Sequence, residues 1–333
     1  MKKYFLVGVM FMCCFLMTGC FKYGEKDVVK DLSKKIESAK GYHVTGILEI
    51  FNNEDSYKYD VDVSYEDDDL FRVSLKNQTN NHEQIILKNM DGVYVLTPSL
   101  NKSFKFQSEW PYHNSQTYLL QNVMNDIEND KERVFKETDD GYVFTTKVNY
   151  SSNKALTKQN VYVDKKLNVT EVHVLNDEDQ VMMKMKYDKI DLKATYDEGY
   201  FALNENMKTA DVDETTQSVG EIENVIFPMY LPLNTKLSSQ DKVSKEDGER
   251  VILTFSGDKP FMFVQETVSV TDDFVTIPVY GEPFILTDSV GALSDSSITW
   301  SSNGMEYYLV SDVMSQDELL EVAKSVSSMP VGK

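Results

Sequence analysis

The sequence predicts an α+β protein in two parts: a long antiparallel sheet with two helices on one side, then a smaller α+β domain. Three observations carry this. From about residue 41 to 187, apolar and polar residues alternate with a period of two, as on strands with one buried and one wet face. A helical period precedes that alternation once and interrupts it once. After an acidic stretch without rhythm, a second and shorter set of strands closes on a helix.

The chain opens with Lys2 and Lys3, followed by sixteen uncharged residues from Tyr4 to Gly19. The apolar run is near the short limit for crossing a bilayer, and no basic cluster follows to stop transfer. Residues 1–19 are therefore expected to be a secretory signal. Leu16-Met17-Thr18-Gly19-Cys20 resembles a bacterial lipobox, with Met17 where leucine is usual. The resemblance implies a diacylglycerol on Cys20 and a short lipidated tether over residues 20–24. The alternative is an ordinary secretory signal with an unmodified cysteine. With acylation, the folded part would sit close to the outer face of the cytoplasmic membrane, held there by its acyl chains.

Val28, Val29, Leu32, Ile36 and Ala39 predict a helix over residues 26–39, with Gly41 as its terminator. Tyr57, Tyr59, Val61, Val63 and Tyr65 alternate with polar residues, as do Phe71, Val73 and Leu75. Asp91-Gly92 predicts a type I′ hairpin between Ile85-Ile86-Leu87 and Val93-Tyr94-Val95-Leu96. Leu119, Leu120, Val123, Met124 and Ile127 predict a second helix over 115–128, after which strands resume to residue 187. This sheet domain is placed at 25–203, with ten or eleven strands. Residues 204–223 are read as a linker and 224–330 as the smaller domain. Strands are expected there at 249–255, 260–265, 274–279, 297–300 and 305–310. The closing helix carries a Ser315/Glu318 capping box and a buried stripe of Leu319, Leu320, Ala323 and Val326.

Cys13 and Cys14 fall within the signal, so after cleavage Cys20 stands alone. No structural disulfide or cysteine metal site can then form. The 34 basic and 54 acidic side chains give a net charge of −20, and cleavage removes two of the lysines. Such a surface repels nucleic acid and, over its bulk, anionic headgroups. His43, His82, His113 and His173 are not at metal-site spacings, so no metal and no cofactor is expected. No nucleophile elbow, P-loop or dinucleotide fingerprint is present. Paired acids such as Asp67-Asp68 and Asp272-Asp273 fall where turns are needed. No catalytic residue is assigned, and the chain is read as a non-enzyme. What remains is apolar. Tyr94, Phe104, Phe106 and Trp110 cluster around one hairpin and its exit, and Met182, Met183 and Met185 add soft, adaptable side chains. These either fill the core or line a pocket for a hydrophobic ligand.

The stretch from Asp91 to Pro98, Phe104-Lys105-Phe106, Trp110-Pro111 and Tyr118-Leu119-Leu120 resembles Gram-positive lipoproteins related to the lipoprotein carrier LolA and the sigma-factor regulator RseB. Pro228 to Pro232 and Trp300 to Val326 resemble the smaller C-terminal domain of such regulators. The resemblance implies a half-open barrel or strongly curved sheet with helices on its concave face. It also implies a hollow for an acyl chain or peptide, and a second domain that docks on an envelope protein. It extends to GerS-type lipoproteins, which support a cell-wall amidase in spore germination. The shuttling role of the soluble carrier is not expected, because a chain acylated at Cys20 would stay on its own membrane.

Overall fold

The computed structural model describes residues 23–52, 55–67, 69–112, 114–150, 153–208, 221–245, 248–268, 274–286, 288–302 and 304–327. The expected signal, Cys20, His113, Asp68, Asp272-Asp273 and most of the expected linker lie outside the described residues.

Helix α1 (Glu25–Glu37) starts where Asp27 accepts a 3.0 Å hydrogen bond from the Gly24 N–H. Glu25 and Asp27 in its first turn and Lys34 and Lys35 in its last suit the helix dipole. Val28, Leu32 and Ile36 form its buried stripe. Six strands follow: β1 (Gly41–Asn52), β2 (Asp55–Glu66), β3 (Leu70–Asn77), β4 (Glu83–Asn89), β5 (Gly92–Thr97) and β6 (Lys102–Phe106). Helix α2 (Leu120–Asn129) interrupts the sheet. Strands β7 (Val134–Glu137), β8 (Gly141–Lys147), β9 (Leu156–Asp164), β10 (Val169–Asn176) and β11 (Val181–Asp191) complete the first unit, and a short α3 (Leu203–Met207) follows. The second unit comprises β12 (Thr235–Lys245), β13 (Gly248–Gly257), β14 (Phe261–Thr267), β15 (Val275–Val279), β16 (Glu282–Ile285), β17 (Val290–Leu293), β18 (Ser297–Ser302), β19 (Met305–Val310) and α4 (Gln316–Ser327).

The first sheet runs β15-β6-β5-β4-β3-β2-β1-β11-β10-β9-β8-β7, and the second runs β12-β13-β14-β19-β18-β17-β16. The first is curved and does not close, as the resemblance implied. Its inner face carries one core, made of alternate residues of the strands, the stripe of α1, and Leu120, Val123, Met124 and Ile127 of α2. Trp110, Val290 and Ala292 close the same core. A register shift between Thr45 and Gly46 leaves Asp188 of β11 as an extra residue, so that Tyr187 stays inward. A Cβ on Gly46 would lie 2.2 Å from the Lys186 carbonyl, so only glycine fits there.

Several expectations are corrected. Gly41 does not terminate α1, which ends at Ser38; it opens β1, where a Cβ would meet the Ala194 carbonyl at 2.6 Å. The β4–β5 hairpin turns on Met90 and Asp91, neither at positive φ; the positive φ of 138° falls on Gly92, which pairs with Asn89. The turn is therefore not type I′, which needs positive φ at both turning residues. Helix α2 begins at Leu120 rather than near Ser115, because the Ser115 N–H and hydroxyl are both tied to the Asn149 backbone. The linker expected from residue 204 begins with helix α3, which packs on the outer face of the first sheet. Strand β15, expected in the smaller domain, instead pairs in parallel with β6 of the first sheet. Strands β12, β16 and β17 have no counterpart among the expected ones. The N-cap pair of α4 is as expected: Glu318 Oε2 accepts from the Ser315 N–H at 2.9 Å, and Ser315 Oγ from the Glu318 N–H at 3.3 Å.

Candidate binding site between the two units

The alternation of each strand decides where the candidate aromatic and methionine residues go. In β5, Val93 and Val95 point into the inner core, so Tyr94 points outward, against Phe201 and Met207. Phe104 and Phe106 of β6, with Trp110, point inward and are buried there. Met185 of β11 is fully buried in the same core. None of these five lines the cavity described below. Met183, near the start of β11, borders it, and so does its neighbour Met182. Of the six residues expected to line a ligand pocket, Met183 borders this cavity, while Tyr94, Phe104, Phe106, Trp110 and Met185 pack in the hydrophobic cores.

The cavity lies where the first unit meets the second. Leu48, Ile50 and Phe51 of β1 form one wall with Met182 and Met183. Residues 116–118 form another, and Pro283 to Leu286 of the second unit form the third. Tyr150 and Lys324 also border it. Its volume is about 120 Å³. Drug-sized ligands occupy clefts of roughly 300–1,000 Å³, so this space suits one apolar side chain or the end of an acyl chain.

The loop that walls the cavity is anchored by polar groups. Asn122 donates to the Pro111 carbonyl at 2.8 Å and the Asn114 carbonyl at 3.0 Å. Tyr187 donates to the Thr117 carbonyl, and Tyr42 donates to Gln121 at 2.5 Å. Burial raises the pKa of both tyrosines, so they remain neutral donors. Beneath α2, Gln159 donates to Asp126 at 2.9 Å. Desolvation pushes the Asp126 pKa up from 3.8 to about 6, against the lowering effect of the Ser115 and Gln159 hydrogen bonds.

The second unit is joined to this region by more than apolar contact. The buried Gln84 side chain clasps Val290: its amide donates to the Val290 carbonyl at 3.0 Å, and its oxygen accepts from the Val290 N–H at 2.5 Å. Lys102 pairs with Glu306 at 2.7 Å, and Asn114 donates to Glu282 at 2.5 Å.

Chemically the site offers little reactivity. His43 lies 2.9 Å from Asp62 and His173 lies 2.8 Å from Glu171, and among the described residues no hydroxyl or thiol joins either pair. Burial lowers the pKa of His82. Among the described residues, no three His, Cys, Asp or Glu side chains could hold a metal ion, and no helix is long and apolar enough to cross a membrane. Sequence reasoning missed Gln84, Tyr150 and the wall from 283 to 286. The Gln84 signal was available: a lone amide beside Ile85-Ile86-Leu87 is a polar group needing a buried partner.

Comparison with known proteins decides the family. The chain is 34% identical over 327 residues to the sporulation protein YdcC of Bacillus subtilis, covering 98% of this chain and 97% of that one. This chain belongs to the YdcC family. No family model matches it. Among solved structures, the MucA/MucB complex of Pseudomonas aeruginosa is similar at 11% identity and a TM-score of 0.32, over 89% of this chain and 97% of that chain. The complex of the CwlD amidase with the GerS lipoprotein from Clostridioides difficile is similar at 19% identity and a TM-score of 0.31, over 52% and 96%. Overlaps this loose carry no conclusion about function.

Proposed function

We propose that this YdcC-family chain is a membrane-anchored, non-enzymatic lipoprotein that serves sporulation by binding an envelope protein on the outer side of the cytoplasmic membrane. Its full-length relation to a sporulation protein is the observation that carries this reading. Cys20 is the proposed site of lipid attachment. The filled inner face favours a protein partner over a carried lipid. The helices, Trp110 and residues of the second unit pack into the inner face, and the apolar cavity at its margin measures about 120 Å³.

The test is affinity capture of the acylated chain from membranes of sporulating cells, with mass spectrometry of the proteins and lipids that co-elute. An envelope protein in stoichiometric yield supports the reading, and a cell-wall amidase would give the partner its class. Recovery of a lipid alone overturns the protein-partner reading. Fatty-acid label should enter the wild type and be lost in Cys20→Ala; equal labelling of the two refutes the anchor.

A further inference from the structure

Lys26, Lys30 and Lys34 recur every four residues along α1, so they stand in one row on its exposed side. The row spans roughly 12 Å, at about 1.5 Å per residue. Among the described residues none of the three has an ion-pair partner, whereas Lys35, adjacent to Lys34 in the chain, is held by the Leu167 carbonyl at 2.8 Å and Asn168 at 2.7 Å. The row borders an open groove alongside Val29, Ser33 and the α2 side of the fold. Four basic side chains (with Arg133) and two acidic ones (Glu37 and Glu128) line that groove. Arg133 is already paired with Glu25 at 2.9 Å, so the groove itself holds three lysines against Glu37 and Glu128, with Asp27 and Asp31 exposed on the far side of the row: a small positive strip on a chain whose net charge is −20.

Position gives the strip a meaning. Four residues lie between Cys20 and Glu25, so the two can be at most about 18 Å apart when that stretch is fully extended. An acylated chain would therefore hold α1 within that distance of the headgroups, close enough for long lysine side chains to touch them. We propose that the lysine row of α1 lies against anionic phospholipid headgroups, and that repulsion of the acidic remainder turns the rest of the molecule away from the bilayer. The bulk charge and the local row then act together, fixing an orientation that an acyl tether alone leaves free. This proposal rests on the lipid-anchor reading given above.

The test uses the full acylated chain on vesicles of phosphatidylcholine, with and without phosphatidylglycerol, and reads acetylation of individual lysines by mass spectrometry. Labelling of Lys26, Lys30 and Lys34 should fall about fivefold each on the anionic vesicles, given the affinity expected per lysine at such a surface. Exposed Lys236 should not change. In Lys30→Glu, protection of Lys26 and Lys34 should drop to the level seen on neutral vesicles. Equal labelling on both vesicle types overturns the proposal, as does protection already present on neutral vesicles, which would mean that a protein or a second copy covers the row. Fatty-acid label on the same preparation separates the two ideas. Label with no protection removes the lysine contact alone; missing label removes the anchor and the contact with it.

Discussion

The two sheets bury their faces by different means. The first lays α1 and α2 into its curve and places an ionisable group under α2, where Asp126 meets Gln159. The second packs α4 against a stack of flat rings. Phe263, Trp300 and Tyr307 have centroids 5.1 to 6.1 Å apart and are nearly parallel. The first arrangement predicts a pH-dependent contribution from Asp126, and the second a contribution from the volume filled by the ring stack.

The largest test of that contrast is Trp300→Ala. Removing a fully buried indole from the stack should cost about 3–5 kcal/mol, read as a fall in the urea midpoint. A loss under about 1 kcal/mol would mean that the stack collapses onto the gap and that volume is not what holds the second unit. Next is the pH dependence of the first unit. The folded-state pKa of Asp126 is raised, so the folded form holds its proton to higher pH than the unfolded chain does. The contribution of this group is therefore fully present below about pH 4 and is lost as pH rises through about 6. Asp126→Asn should flatten that part of the profile, and relative to wild type it should gain about 2 kcal/mol between pH 4 and 7.5. Parallel profiles for the two proteins would show that Asp126 does not couple folding to pH. A smaller loss, about 1 kcal/mol, is expected for Ser315→Ala through the N-cap of α4, measured by thermal melting. The smallest is Lys147→Ala, whose solvent-screened pair with Glu132 should leave the thermal midpoint essentially unchanged. A larger effect there would show that the surface of the first unit matters as much as its interior.

Most of the first unit was legible because each strand shows water on one side only. Tyr59, Val61 and Val63 are buried while Lys58, Asp60 and Asp62 are not, and that contrast is written directly as alternation. Legibility fails where a strand is covered on both faces or on neither. Ile85-Ile86-Leu87 and Val93-Tyr94-Val95-Leu96 are continuous apolar runs because α3 and the tyrosines near it cover the outer face. The runs were visible, but what covered them sat in a segment with no apolar period of its own. Strand β12 is the opposite case, exposed from Lys236 to Ser244 on both sides, so its pattern carried no strand signal. The placement of the candidate site residues illustrates a third rule. Residues near one another on a hairpin were grouped together, although neighbours on a strand face opposite sides; Tyr94 was separated from Phe104 by that rule alone.

The parallel pairing of β15 with β6 reaches beyond architecture. Val275–Val279 is laid along the rim of the first sheet, with Ser103 Oγ 2.7 Å from Thr276 Oγ1, so the rim carries a backbone seal donated from 173 residues downstream. A fragment ending after Met207 would lose that seal and display bare amides and carbonyls to any passing strand, which is how soluble sheets begin to aggregate. Dissection of the molecule into halves should therefore yield a sticky first half, and ribosomal synthesis must leave this rim unguarded until the later strand emerges.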